Sequence, residues 1–193
     1  MSWAARSGLF SVLLMKTHSL DSQALELNID LVTLARAAFQ HARAGETERM
    51  AHLLTAGLPV NLCNERGDSL LMLASYYGNL NITRLLLEHR ADPERTNERG
   101  QTPLAGAAFK GDIIVAQLLL DHGARVDGRG PDGRTALMVA AMFDQMEMLK
   151  LLLERGAALE LRDARGYTAL DYARAMDAQG AAAWLEQLSA TRQ

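Results

Sequence analysis

Four features of the 193-residue sequence carry residue types found in reactive or ligand-holding sites. Gly67-Asp68-Ser69-Leu70 spells the four letters of a serine-hydrolase signature, in which the serine attacks a carbonyl and a later Asp-x-x-His supplies the base. No Asp-x-x-His occurs in the chain. Gly128-Arg129-Gly130-Pro131-Asp132-Gly133 has G-x-G-x-x-G spacing, which cradles a dinucleotide pyrophosphate when a strand precedes it and a helix follows. Here it follows Leu118-Leu119-Leu120-Asp121-His122-Gly123, which reads as the end of a helix. His89 and His122 are 33 residues apart, and a metal site would need further ligands in the same register. Neither a cysteine nor a third histidine shares it. Cys63, the only cysteine, excludes an intrachain disulfide and has no His or basic residue beside it in sequence, so it reads as a structural thiol.

The elements that would have to position these residues explain them in another way. Gly67, Gly100, Gly133 and Gly166 follow one another at 33-residue intervals. So do Gly45, Gly78 and Gly111, a series continued by Asp144 and Asp177, and so do Gly57, Arg90, Gly123 and Gly156. A hydroxyl recurs at Ser69, Thr102, Thr135 and Thr168, placed to cap a helix that starts just after it. Pro103 suits the first helical position, where no N–H is needed. The second half of each unit carries a leucine run: Leu53-Leu54, Leu85 to Leu87, Leu118 to Leu120, Leu151 to Leu153, and Trp184-Leu185 in the last. Two short helices and a polar turn cannot bury their own apolar faces, so the units must stack. Ser69 and Gly133 are then periodic cap and turn residues, and His89 and His122 sit near helix C-termini.

This pattern resembles the ankyrin repeat, over roughly Leu31 to Leu188. The resemblance implies an all-α fold: an ankyrin-repeat solenoid of stacked helix-turn-helix units with short β-turn fingers. We read an N-terminal extension at 1–30, partly disordered, followed by a repeat domain at 31–193 with units at about 31–63, 64–96, 97–129, 130–162 and 163–193. The first unit lacks its finger and acts as a cap. Ankyrin units usually carry a histidine two residues after the proline position, but Met72, Ala105, Met138 and Asp171 stand there. Hydrogen bonding between units should therefore be weaker, with packing compensating. Arg90 replaces a terminal glycine, and a positive φ there would cost on the order of 1 kcal/mol. Gly128 and Gly130 should make the finger at 127–133 the most mobile one.

In proteins that resemble ankyrin repeats, partners usually dock on the concave surface formed by finger tips and first helices. The register places Tyr76, Phe109 and Met142 in one ladder there, and Tyr77, Lys110, Phe143 and Met176 in the adjacent one. Arg66, Arg99, Arg134 and Tyr167 fall at finger tips. Aromatic, Met and Arg side chains are enriched at interface cores. The opposite reading, that these residues pack against the neighbouring unit and merely line the groove, stays open at this point.

Composition limits the remaining choices. Leu (33) and Ala (31) supply a third of the chain against 10 Val plus Ile, which argues against an all-β sandwich or barrel. A net charge of −3 gives no overall basic footprint for nucleic acid, and no apolar run is long enough to span a bilayer. The run Gly8 to Met15 has a thin basic flank and no small-residue cleavage site, so it makes a poor signal peptide. Translation starting at Met15 is an alternative. We therefore expect a cytoplasmic (rather than periplasmic or secreted), monomeric, non-enzymatic module. It would bind a protein partner through the groove and use no cofactor, metal, nucleic acid or membrane. Narrower alternatives are an accessory protein that inhibits or protects one enzyme, and a secreted effector.

Overall fold

In the computed structural model, which describes residues 22–191, every expected cap hydroxyl starts a helix. Ser69 Oγ accepts from the Met72 amide at 3.0 Å, and Thr102 Oγ1 from Ala105 at 3.2 Å. Thr135 accepts from Met138 at 3.3 Å and Thr168 from Asp171 at 3.2 Å. At Thr168 the Asp171 carboxylate reaches back to the Thr168 amide at 2.9 Å, completing a reciprocal cap.

Ten helices are described, in five pairs: α1 (Ser22–Ala44) with α2 (Thr47–Thr55), α3 (Leu70–Tyr76) with α4 (Leu80–Glu88), and α5 (Pro103–Lys110) with α6 (Ile113–Asp121). The series ends with α7 (Ala136–Met142) paired with α8 (Met146–Glu154) and α9 (Ala169–Ala175) with α10 (Gln179–Thr191). The first helices pack on one another in chain order, as do the second helices, giving two layers. Small residues make the first layer close-fitting: Ala42, Ala74, Ala107, Ala108, Ala140, Ala141 and Ala173 are all buried. The leucine runs fill the space between layers, with Leu86, Leu119 and Leu152 fully buried at the same register. No strand occurs among the described residues, only an isolated antiparallel bridge between Cys63 and Ser69. α1 extends well upstream of residue 31, where the sequence pattern puts the repeat boundary; residues 1–21 of the expected extension lie outside the described residues.

The three periodic glycine series all mark left-handed backbone. Where the series substitute a side chain, the conformation persists: Arg90, Asp144 and Asp177 have φ of 62°, 53° and 55°. Arg90 thus carries the strain that its position implied.

Hydrogen bonding between units is richer than the missing histidines suggest. Asn61, Glu94 and Asp127, again 33 apart, each reach into the following unit. Asn61 Oδ1 accepts from the Asp92 amide at 2.8 Å, Glu94 Oε1 from Arg125 at 2.9 Å, and Asp127 Oδ1 from Ala158 at 3.2 Å. Asn79 donates to the Ala42 and Arg43 carbonyls at 2.8 and 2.9 Å, closing the C-terminus of α1. The expectation of weak bonding between units is therefore corrected. The histidine's role is distributed over acceptors elsewhere in the repeat.

The fingers are joined tip to tip by backbone. The Glu98 amide donates to the Arg66 carbonyl at 3.0 Å, and the Ala164 amide to the Asp132 carbonyl at 2.9 Å. Between the third and fourth units the donor position is Pro131, which has no N–H, so this rung is missing. Gly130 has a reason other than mobility. A Cβ there would lie 2.2 Å from the Gly100 carbonyl oxygen, so the two fingers meet where only glycine fits.

Candidate functional site

The catalytic look-alikes are absorbed by these elements. Ser69 Oγ is engaged by the α3 cap. Gly133 is a left-handed turn residue against the Asp163–Ala164 backbone, with helix α6 rather than a strand upstream. His122 Nδ1 bonds the Leu118 carbonyl at 2.9 Å, one turn back on its own helix. Cys63 differs from its sequence reading in one respect: Arg95, 32 residues away, brings Nε to 2.9 Å from Sγ, so the half-buried thiol does have a basic neighbour in space.

The first helices end on the groove with aromatic rings. Tyr76 and Phe109 stack at 5.9 Å between centroids with 13° between planes. Tyr77 meets Tyr76 edge-on at 5.4 Å, and Phe143 meets Phe109 edge-on at 4.7 Å. The rings thus form one run, Tyr77–Tyr76–Phe109–Phe143, that crosses from one expected ladder to the other instead of following either. Met142, which the register aligns with Phe109, is half-buried against the core. Lys110 folds back so that its Nζ lies 4.8 Å from the Tyr76 ring centroid, a cation–π placement. Tyr77, Phe109 and Phe143 remain 53%, 37% and 42% exposed, so packing on the neighbouring unit leaves a large part of each ring open.

Beside this run a cleft of about 540 Å³ opens between the second and third units. Its floor is Met72, Leu73, Gly106 and the Tyr76 and Phe109 rings, and its finger wall holds Arg66, Asp68, Asn97, Glu98, Arg99 and Gln101. Arg43, at the end of α1, closes one side. Gly106 gives the cleft its depth. The equivalent positions in the second, fourth and fifth units are Leu73, Val139 and Tyr172, and the absence of a side chain at 106 leaves that volume empty. The finger wall is held rigidly. Asn64 Oδ1 accepts from the Arg66 and Asp68 amides, and Asn97 Oδ1 from the Arg99 and Gln101 amides. Asn97 Nδ2 also donates to Asp68 Oδ1 at 2.9 Å, tying one finger to the next.

The other residues that the sequence singled out lie apart from this cleft. Arg134 is half-buried and its Nε bonds Asp132 at 2.6 Å within its own finger. Met176 is exposed at the end of α9. Tyr167 belongs to a cluster on the last finger. There the Tyr172 hydroxyl donates to Asp163 Oδ2 at 2.6 Å, Arg165 Nη2 donates to the Tyr172 hydroxyl at 2.6 Å, and the guanidinium lies over both tyrosine rings. Burial works against ionisation of Asp163. Bonds from the Tyr172 hydroxyl and from the Tyr167 and Arg165 amides, with the Arg165 charge, outweigh it and hold the carboxyl below its ordinary value. Burial, followed by the bond to Asp163, raises Tyr172. This cluster braces the last finger against α9. The sequence pattern pointed neither to this cluster nor to the role of Gly106 at the cleft.

Two family models of ankyrin repeats match the chain, one of three copies over residues 34–130 and one of many copies over residues 119–173. A stretch of 65 residues, 34% of the chain, is 50% identical to an ankyrin repeat protein of Pseudomonas aeruginosa. The match spans 38% of that relative's length. Among the described residues no helix is long and apolar enough to cross a membrane.

Proposed function

The chain belongs to the ankyrin repeat family, whose repeats are protein-interaction modules, and from that premise we propose that its groove docks one protein partner through the aromatic run Tyr77–Tyr76–Phe109–Phe143. The observation that carries the reading is the exposure of these rings. Large apolar side chains left open in a contiguous row are what a partner covers. The serine, His122 and the glycine-rich segment are engaged as helix cap, helix-end bond and finger turn. The protein works by holding its partner, with the stacked units as a rigid support.

The test is the double substitution Tyr77→Ala and Phe143→Ala. Both side chains are near half exposed, and each edge-on ring pair that the substitutions remove is worth about 0.5–1.5 kcal/mol. Partner capture from the native source should fall to background while the unfolding midpoint drops by no more than the two lost ring pairs account for, about 2–12 °C. Intact capture combined with a large drop in thermal stability would show that the rings serve the array and not a partner.

A further inference from the structure

Resting on this docking reading, we infer that the cleft beside the aromatic run takes an acidic segment of protein chain with one bulky apolar side chain at its centre. The charge balance is local and differs from that of the whole molecule. Three guanidinium groups, those of Arg43, Arg66 and Arg99, line the cleft. None of them forms an ion pair among the described residues, although Arg125, Arg134, Arg155, Arg165 and Arg174 all do. Two carboxylates share the cleft, and one of them, Asp68, is already engaged by the side-chain amides of Asn64 and Asn97 at 3.1 and 2.9 Å. Lys110 adds a further cation on the aromatic floor. A chain with net charge −3 therefore presents a basic, unpaired spot on its groove.

The hole over Gly106 supplies the second half of the recognition. It is floored by Met72, Leu73 and two aromatic rings, a surface for an apolar side chain and not for a polar one. Arginine forks bind carboxylates with two parallel bonds, so acidic residues on either side of the anchor would find partners on the finger tips and at the end of α1. A nucleic-acid strand fits less well, because its evenly spaced phosphates need free cations along the whole finger row, and beyond the cleft Arg134 and Arg165 are already paired with Asp132 and Asp163.

The full-length chain, immobilised, should be panned with a library of short random peptides. The expected result is enrichment for Asp and Glu flanking a single Phe, Leu or Trp. The best selected peptide, synthesised and titrated, should bind less tightly as salt rises. It should lose about tenfold or more in affinity to the Arg66→Glu, Arg99→Glu double variant, the scale of losing charge-assisted hydrogen bonds. Selection of basic peptides, selection without charge bias, or no selection above the bare support overturns the inference. So does displacement of the peptide by an oligothymidine or by a synthetic peptide of residues 1–21, which would assign the cleft to nucleic acid or to the chain's own beginning. If the charge bias is absent but Tyr77→Ala with Phe143→Ala still abolishes partner capture, the acidic class falls and the docking role stands. If capture also survives, both fall.

Discussion

Replacing Gly106 should raise stability and lower binding, two effects of opposite sign at one position. The residue lies in the interior of α5, in ordinary helical backbone, where glycine costs about 0.5–1 kcal/mol relative to alanine. A Cβ placed there meets Met72 Sδ at 3.6 Å and the Tyr76 side chain at 3.9 Å, ordinary contact distances with no clash. Gly106→Ala should therefore stabilise the protein by about 0.5–1 kcal/mol, which for a chain of this length raises the melting temperature by about 1–4 °C. Gly106→Leu, which installs the residue that the second unit carries at Leu73, should keep most of the helical gain and fill the cleft over Tyr76 and Phe109. Affinity for a groove ligand should then fall about tenfold or more, the scale of excluding one anchor side chain. Denaturant unfolding and titration of a selected peptide measure the two effects on the same samples. Destabilisation by alanine would refute the contact argument. Unchanged affinity with leucine would refute the assignment of the cleft as the seat of the anchor.

Gly130→Ala should have the opposite sign from Gly106→Ala, since its Cβ would overlap the Gly100 backbone; a loss of about 1–3 kcal/mol is expected in denaturant unfolding, and a stabilised variant would contradict the close finger contact. Glu94→Ala should cost about 0.5–1.5 kcal/mol by releasing the Arg125 amide, whereas Glu94→Gln should retain most of that bond; equal losses from both would point to charge instead of the bond. Asp163 gives a dependence on acidity. Its folded carboxyl titrates below its unfolded value, so its contribution is complete above the unfolded value of about 3.9 and is lost as pH falls through the folded value. Tyr172→Phe removes the strongest bond holding it there and should cost about 1.5–3 kcal/mol at neutral pH, with a smaller further loss on acidification than the unaltered protein shows. An identical acid profile in the variant would refute the assignment.

The sequence discloses what is set by neighbours along the chain. A cap bond runs from residue i to i+3, so Ser69, Thr102, Thr135 and Thr168 can be assigned from letters alone, and the left-handed positions follow from the glycine spacing. Contacts between units depend on the rotation of one unit against the next, which periodicity does not encode. That is why register aligns Phe109 with Met142 while its ring packs on Phe143, and why Cys63 lacks in sequence the basic neighbour that Arg95 provides in space. One legible signal is the acceptor at Asn61, Glu94 and Asp127, which recurs with the glycine period and marks the bridges between units. The depth of the cleft is also visible, as a lone glycine at 106 where the other units carry Gln, Leu, Val or Tyr, but its meaning requires knowing that this helix position faces the groove.

The missing rung at Pro131 divides the row of fingers into two zippered halves. The first is closed by Glu98 on Arg66 and the second by Ala164 on Asp132, and the cleft lies wholly within the first. A separation of the finger tips at this seam breaks no backbone hydrogen bond, while a separation at either neighbouring joint breaks one. The array is thus built like a jaw with its compliance placed just beyond the bite. A bulky ligand seated over Gly106 can press the fingers of the third and fourth units apart without loosening the wall that grips it.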